Sequence, residues 1–242
     1  MEFITLYWWR IIVVAIVSYL LGSFSSAVIF SKMAKKKDVR EMGSGNAGFT
    51  NVLRSVGIVP AILTFVFDFV KGVLAVLFAV LMFNLQFDSS AINALSEAVR
   101  GEYLIFGKYL AGAFCVLGHS FPVFFGFRGG KGITTMAGIL LTLDPRFLLL
   151  VLGTFLVFFI LTRIISVGSL MAAVTITGWN WVVMYFFYYK PSLETAAPYR
   201  TSLILVTNLI MLVIAAFVIF MHRGNIKRLI KGEEKKIKAK KD

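Results

Sequence analysis

Two glycine-rich segments of this chain carry polar residues suited to binding an anion. Residues 43–51 read GSGNAGFTN, and residues 126–132 read GFRGGKG. Glycine lets backbone N–H groups crowd round an oxyanion, and Arg54 and Lys131 add positive charge beside the segments. Taken alone, each segment is equally compatible with a flexible loop, helix-capping residues or a short turn bearing cations. Their chemistry therefore depends on where the fold places them.

The second segment is not a nucleotide-binding P-loop. The pattern GxxxxGK[ST] fails because Phe125 stands at the first glycine position and Gly132 replaces the Ser or Thr after Lys131. A helix is predicted directly after the segment, and helix N-termini favour anions through their N–H groups and dipole. Phosphate binding is therefore compatible with the segment, whereas nucleotide hydrolysis is disfavoured.

Other candidate residues occur in pairs at helical spacing. Asp68 and Lys71 lie three residues apart within an apolar run, which favours an internal ion pair over catalysis. His222 and Asn225 have the same spacing and would share one face of a helix. For His119, which precedes a proline-containing helix end, a structural hydrogen bond is favoured over a role as general base.

The composition places the chain in a membrane. Hydrophobic residues make up 59% of the 242 residues and charged residues 15%, against roughly 25% charged in typical globular proteins. The formal net charge of +13 is concentrated beside apolar runs. This is typical of contact with anionic headgroups, and it disfavours nucleic acid as a partner. The single Cys115 excludes a disulfide framework and a cysteine metal site.

The apolar runs predict an all-α polytopic membrane protein of about seven transmembrane helices. Six runs are long enough to span a bilayer, namely 4–30, 57–84, 104–125, 147–165, 170–189 and 202–221. The seventh, residues 133–143, is short. Counting it places eighteen Lys or Arg on the inner side and six on the outer side. The N-terminus is therefore predicted outside and the C-terminus in the cytoplasm.

The predicted organisation is one transmembrane domain over residues 1–221, followed by a basic cytoplasmic tail over 222–242. The polar motifs fall on cytoplasmic loops at 31–56, 126–132 and 166–169. The end of the tail, EEKKIKAKKD, is expected to be solvated or to touch lipid.

Several classes of enzyme are disfavoured by missing patterns. Phe124 and Lys227 follow the two histidines by five residues, so the HxxxxD dyad of acyl-CoA-dependent glycerolipid acyltransferases is missing. The sequence has neither the paired-aspartate signature of CDP-alcohol phosphotransferases nor a GxSxG elbow. Asp68 is the only mid-membrane carboxylate, so no metal site is predicted.

Taken in order, the motifs resemble the bacterial PlsY family, the acyl-phosphate:glycerol-3-phosphate acyltransferases. The resemblance covers nearly the whole chain. Its elements are Gly22-Ser23, Asp38, Arg40, GSGNAGFTN, Arg54, the DxxKG element at 68–72, GHSFPVFFGFRGGKG at 118–132, Ser166 to Ser169, and HRGNIKRLIKGEE from 222. One departure is Ser25, where the family commonly has proline.

The resemblance implies an enzyme on the cytoplasmic face of the bacterial plasma membrane, active in the first step of phospholipid synthesis. It would move a fatty acyl group from acyl phosphate to the 1-hydroxyl of glycerol 3-phosphate, giving lysophosphatidic acid and inorganic phosphate. It implies no cofactor, acyl-CoA or acyl-carrier protein, and no protein partner is predicted.

The resemblance also implies the site residues. As catalytic residues it implies Ser44, Arg54, Lys131, His222 and Asn225. As substrate-binding residues we take Gly43, Gly45, Asn46, Thr50, Asn51, Gly129, Gly130, Gly132 and Ser169. The pair Asp68 and Lys71 is taken as structural. Two groups are candidates for the general base, a phosphate group of a substrate and His222.

A transporter or flippase for an anionic phosphate ester is the main alternative. The polytopic fold, the pair Asp68 and Lys71 and the clustered cations favour it. The crowding of polar motifs on one membrane face argues against it, because the outer loops carry no matching set.

Overall fold

The computed structural model describes residues 2–85 and 97–236, and all the regular elements in those ranges are helical. Six helical segments there are long and apolar enough to cross a membrane, and they are Trp8–Lys35, Ile58–Asn84, Glu97–Phe125, Pro145–Thr162, Ile165–Ser192 and Thr201–Met221. The predicted all-α polytopic membrane protein is thus confirmed.

The helices fall into two compact units, 1–143 and 144–242. The first unit contains α1 Glu2–Gly22, α2 Ser26–Lys35, α3 Phe49–Ser55, α4 Ile58–Asn84, α5 Glu97–Ser120 and α6 Ile133–Leu143, with single 3-10 turns at Val39–Glu41 and Val123–Phe125. The second contains α7 Pro145–Thr162, α8 Ile165–Val183, a π-helical segment Met184–Tyr189, α9 Lys190–Ser192, α10 Thr201–Met221 and α11 Arg223–Ile230.

The short helix α6 decides the number of spans. It has 11 residues, which at about 1.5 Å per residue is roughly half of a hydrocarbon core about 30 Å thick. The count of seven spans and the N-outside orientation therefore stay predictions, as does the single domain over residues 1–221. Helix α5 begins at Glu97, earlier than the predicted 104.

Close helix packing in the first unit depends on glycines that face each other's backbones. Between α1 and α5, a β-carbon on Gly22 or on Gly118 would lie 2.1 Å from a carbonyl oxygen of the other helix. Between α4 and α6, the equivalent distances are 2.3 Å for Gly72 and 2.1 Å for Gly138. Helices in lipid gain stability from such close backbone contact, since burial from water contributes little there.

A break between α1 and α2 exposes backbone polar groups inside the first unit. Helix α1 ends at Gly22 and α2 begins at Ser26, so the predicted run 4–30 is two helices. The carbonyl oxygen of Phe24, within the break, accepts a hydrogen bond from Lys71 Nζ at 3.0 Å. The same oxygen accepts from the backbone N–H of Ser26 at 3.2 Å, so these two bonds replace the one that a continuous helix would have made.

In the second unit, α8 packs against both α7 and α10. Asp144 caps the N-terminus of α7 by accepting from the backbone N–H of Arg146 at 2.8 Å. Tyr188 also donates its hydroxyl to the Asp144 carboxylate at 3.0 Å. These bonds order one end of the unit. The polar motif residues of this unit lie on α8, between α10 and α11, and on or just after α11.

Candidate active site

Asn51 organises the first glycine-rich segment from a buried position in α3. Its amide nitrogen lies 2.9–3.0 Å from the carbonyl oxygens of Val39, Met42 and Asn46, so its two hydrogens are shared among three acceptors. Its Oδ1 accepts from the backbone N–H of Ser44 at 3.0 Å. These contacts connect α3 to the backbone of the preceding loop, so Asn51 fixes the conformation of that loop. Its predicted contact with substrate stays a prediction.

The backbone of this segment turns sharply at two glycines. Gly43 and Gly45 have φ angles of 57° and 72°, which residues with side chains rarely adopt. Ser44 is exposed, and Asn46 and Thr50 are half-buried. The loop thus presents hydroxyl and amide groups at the surface of the first unit, as a phosphate ester would require.

Arg40 connects the start of this loop to the second glycine-rich segment. Its Nη1 donates to the carbonyl oxygens of Phe125 and Arg128, while Nε and Nη2 bind the two carboxylate oxygens of Asp38 at 3.0 and 2.8 Å. Burial raises the pKa of Asp38, but the Arg40 hydrogen bonds and charge outweigh it and hold that pKa below its usual range. The charged pair thus fixes one segment relative to the other.

The second glycine-rich segment is docked against the end of α5. The backbone N–H of Gly129 donates to Ser120 O at 3.0 Å, and that of Gly130 donates to His119 O at 3.1 Å. The two amides that the sequence suggested for an oxyanion are therefore engaged by protein carbonyls. These amides dock the segment onto α5, and the substrate-binding role of Gly129, Gly130 and Gly132 stays a prediction.

Gly130 lies where the two glycine-rich segments meet. A β-carbon on Gly130 would lie 2.5 Å from Ala47 O in the first segment and 2.2 Å from His119 Nε2. Real β-carbons essentially never approach other heavy atoms within 3.0 Å, so any larger residue would push the segments apart. We call this contact the loop junction.

Positive charge and the start of a helix follow the loop junction directly. Lys131 is half-buried, and Gly132, with φ 83°, turns the chain into α6. The first helical bond of α6 runs from Met136 N to Gly132 O at 2.7 Å, so the amides of its first turn have no acceptor within the helix. Arg54 is exposed in the last turn of α3.

A buried charged cluster joins three helices of the first unit. Lys71 Nζ lies 2.7 Å from Asp68 Oδ1, 2.9 Å from His119 Nδ1 and 3.0 Å from Phe24 O. Ser26 Oγ donates to the same Asp68 oxygen at 2.8 Å. The pair has the i, i+3 geometry that its spacing predicts. Pairing and hydrogen bonding offset the cost of burying both charges.

In the second unit, Glu234 binds three side chains of the family motifs. Its carboxylate accepts from Ser166 Oγ at 2.8 Å, Asn225 Nδ2 at 2.6 Å and Arg228 Nε at 2.6 Å. Gly232, with φ 69°, turns the chain back after α11. The expectation that the tail is solvated or touches lipid does not hold for Glu234, whose side chain is only 9% exposed and is bonded within the second unit.

His222 is buried between α10 and α11. Its Nδ1 lies 2.8 Å from Val218 O. Because a carbonyl oxygen only accepts, Nδ1 donates, and the neutral ring carries its lone pair on Nε2. Asn225 follows in the first turn of α11, and Ser169 is buried in α8. Nε2 of His222 is thus the ring nitrogen suited to orient a hydroxyl or accept its proton.

The hydrogen bonds to Glu234 make the stability of the folded protein depend on pH in the acid range. Burial raises the pKa of Glu234, but hydrogen bonds from Arg228, Ser166 and Asn225 outweigh it and lower the pKa below its usual value. A carboxylate with a lowered pKa stabilises the fold above its unfolded pKa of about 4.3, and this contribution is lost as the pH falls through the lower folded value.

We therefore expect Glu234→Gln to lower the melting temperature at pH 7 and to flatten its fall below about pH 4. The matched control is Glu233→Gln, since Glu233 is exposed. Differential scanning fluorimetry in detergent at pH 3 to 8 measures both variants. An unchanged melting temperature for Glu234→Gln across this pH range would contradict the claim that the Glu234 carboxylate stabilises the fold.

The predicted catalytic residues are distributed over both units. Ser44, Arg54 and Lys131 belong to the first unit, and His222 and Asn225 to the second. The sequence did not indicate Arg40 or Glu234 as organising residues. Arg40 is named in the resemblance and Glu234 lies inside its last motif. Their contacts with Phe125, Arg128 and Ser166 join residues far apart along the chain, and no local pattern identifies those contacts.

Comparison with known proteins identifies the same family across the chain. The family model described as "Glycerol-3-phosphate acyltransferase" matches residues 12–232. A glycerol-3-phosphate acyltransferase of Chlorobium phaeobacteroides (strain BS1) is 35% identical over 235 residues, which cover 94% of this chain and 97% of the relative.

Two solved structures of PlsY, an integral membrane glycerol 3-phosphate acyltransferase, are similar to this fold. The glycerol 3-phosphate form superimposes with a TM-score of 0.72, and the lysophosphatidic acid form with 0.66. Both share 31% sequence identity, over 95% of this chain and 96% of theirs.

Proposed function

This chain belongs to the glycerol-3-phosphate acyltransferase family, and we propose that its acyl donor is acyl phosphate. As a membrane acyltransferase it would move the acyl group to the 1-hydroxyl of glycerol 3-phosphate and release lysophosphatidic acid and inorganic phosphate. The transporter alternative has no support among these relatives, which are named as acyltransferases.

The observation that carries the proposal is the loop junction at Gly130. There the first glycine-rich segment touches the second, directly before Lys131 and the start of α6. Both proposed substrates bear a phosphate group. Lysine charge and unbonded first-turn N–H groups are the donors that proteins use for phosphate. We assign the anion-facing amides to the first turn of α6, because those of Gly129 and Gly130 are bonded to α5.

The proposed reaction is a direct acyl transfer. The 1-hydroxyl oxygen of glycerol 3-phosphate bonds to the acyl carbon, and the bond from that carbon to the phosphate oxygen breaks. Acyl phosphate is a mixed anhydride, so phosphate leaves readily. Lys131 would stabilise the charge that develops on the departing phosphate. Holding both substrates together removes much of the entropic barrier.

The hydroxyl proton is proposed to pass to an oxygen of a substrate phosphate. His222 would orient the hydroxyl or assist this transfer through Nε2, since its Nδ1 is engaged by Val218 O. Ser44, Arg54 and Asn225 complete the proposed catalytic residues. Ser169 and the polar residues of the first segment, Asn46, Thr50 and Asn51 among them, are proposed to contact substrate.

We place the protein in the bacterial plasma membrane, with its active site on the cytoplasmic face. The support is the charge asymmetry of the sequence, with eighteen Lys or Arg assigned to one side against six on the other. The topology predicted from the sequence assigns the glycine-rich segments and the basic tail to the richer side.

A donor comparison tests the proposal. The purified full-length chain in detergent is given glycerol 3-phosphate with either palmitoyl phosphate or palmitoyl-CoA, and lysophosphatidic acid is measured. We expect product from palmitoyl phosphate and none from palmitoyl-CoA. Product from the thioester alone would overturn the donor assignment, whereas binding of palmitoyl phosphate without turnover would favour a transporter.

A further inference from the structure

We infer that His119 is a positioning residue, whose ring holds Gly130 and thereby Lys131 in place for glycerol 3-phosphate. The inference rests on the proposed function. It goes beyond a structural hydrogen bond, because it assigns different tasks to the two nitrogens of the ring.

The first nitrogen, Nδ1, is set by Lys71. An ammonium group has three N–H donors and no acceptor. The three acceptors around Lys71 Nζ are Asp68 Oδ1 at 2.7 Å, His119 Nδ1 at 2.9 Å and Phe24 O at 3.0 Å. Each donor therefore has one acceptor, so Nδ1 carries the lone pair and the proton of the neutral ring lies on Nε2.

The distance from His119 Nδ1 to Asp68 Oδ1 agrees with this tautomer. It is 3.6 Å, longer than a hydrogen bond. A protonated Nδ1 would turn towards that carboxylate and away from the ammonium group. With a neutral ring, the cluster of Asp68, Lys71 and His119 has no net charge, which suits its burial.

The second nitrogen, Nε2, faces the loop junction. It would lie 2.2 Å from a β-carbon on Gly130, and Ala47 O would lie 2.5 Å from the same point. His119 also contacts Gly130 through its backbone, since His119 O accepts from Gly130 N at 3.1 Å. One residue thus touches the glycine before Lys131 from two directions.

The ring is therefore fixed at one edge and supports the loop at the other. Lys71, itself held by Asp68 and the carbonyl oxygen of Phe24, fixes the ring orientation. The Nε2 edge then sets where Gly130 lies, and Lys131 is the next residue. The Nδ1 edge should serve mainly stability, and the Nε2 edge should serve mainly substrate binding and catalysis.

Two amide substitutions separate the two edges. His119→Asn keeps a polar atom near the position of Nδ1 and removes the Nε2 edge, while His119→Gln keeps a polar group near the position of Nε2 and removes the acceptor for Lys71. For His119→Asn we expect a melting temperature close to wild type and a kcat/KM for glycerol 3-phosphate lower by about 30-fold.

For His119→Gln we expect the opposite result, a loss of stability with little loss of activity. Its melting temperature should fall by about 5 °C, because a buried donor of Lys71 loses its acceptor. Its kcat/KM for glycerol 3-phosphate should stay within about threefold of wild type, which is the rescue that a purely structural histidine would not show. Palmitoyl phosphate serves as donor, and the full-length chain is used in detergent.

One control variant and the wild type complete the test. Thr154→Val removes the hydroxyl that accepts from Trp179 Nε1 in the second unit, and it should lower stability without changing kcat/KM. Equal loss of activity in the two His119 variants, near-normal activity in His119→Asn, or an unfolded His119→Asn would each overturn the inference. An inactive wild type would instead contradict the proposed function itself.

Discussion

Replacing Lys131 with alanine is expected to lower kcat/KM for glycerol 3-phosphate by about 100- to 1,000-fold. Lys131 is half-buried between the loop junction and the first turn of α6, where the proposed reaction expels a phosphate. Removing one charged donor from a preorganised site loses stabilisation that the neighbouring N–H groups cannot replace.

The matched control is Lys37→Ala, which removes the same charge from an exposed position. It should change kcat/KM by less than about twofold, since surface charges are screened by salt. Initial rates at glycerol 3-phosphate concentrations well below KM give the comparison. Full activity of Lys131→Ala under these conditions would remove Lys131 from the phosphate site.

Replacing Gly130 with alanine is expected to lower kcat/KM by about 100-fold, because a misplacement of about 1 Å can cost that much. The new β-carbon would overlap both His119 Nε2 and Ala47 O. One obstacle is a backbone atom and the other a ring held by Lys71, so the loops themselves must separate. Overpacking of this kind also costs about 1–3 kcal/mol of stability.

Gly153→Ala is the control for this prediction. A β-carbon on Gly153, within α7, would meet nothing within 4 Å. We expect it to leave activity unchanged and to affect stability by less than about 1 kcal/mol in a helix interior. Kinetics of Gly130→Ala within about twofold of wild type would show that the loop junction does not position catalytic groups.

The features that depend on neighbouring residues in the sequence, such as apolar helices and pairs at helical spacing, could be predicted. All six long apolar runs correspond to helical segments that could span a bilayer, because transfer of apolar side chains into lipid depends on composition and length. The glycine-rich segments lie outside those helices. The i, i+3 pair of Asp68 and Lys71 has its expected geometry, since helical spacing alone brings the side chains together.

The contacts that organise the site could not be predicted, because they join residues far apart in the sequence. Arg40 reaches the carbonyl of Phe125, 85 residues away. Lys71 and His119 are 48 residues apart, and Ser166 and Glu234 are 68 residues apart. Such pairs are set by how helices pack, and a single sequence carries no periodic signal for them.

The contacts of the glycines before α6 could not be predicted from the sequence either. Their enrichment before α6 indicated a site where backbone groups approach an anion. The structure uses the amides of Gly129 and Gly130 to dock onto α5 and uses the missing side chain of Gly130 to join two loops. Composition identifies where backbone must come close, but only the fold shows which partner comes close to it.

The most direct test of the proposed reaction is its stoichiometry. The purified full-length protein in detergent is incubated with palmitoyl phosphate and glycerol 3-phosphate, and lysophosphatidic acid and inorganic phosphate are measured over time. We predict equal molar release of both products, with no phosphate released faster than lysophosphatidic acid is formed. Substrate binding without lysophosphatidic acid, or phosphate release that does not need glycerol 3-phosphate, would contradict acyl transfer by this protein.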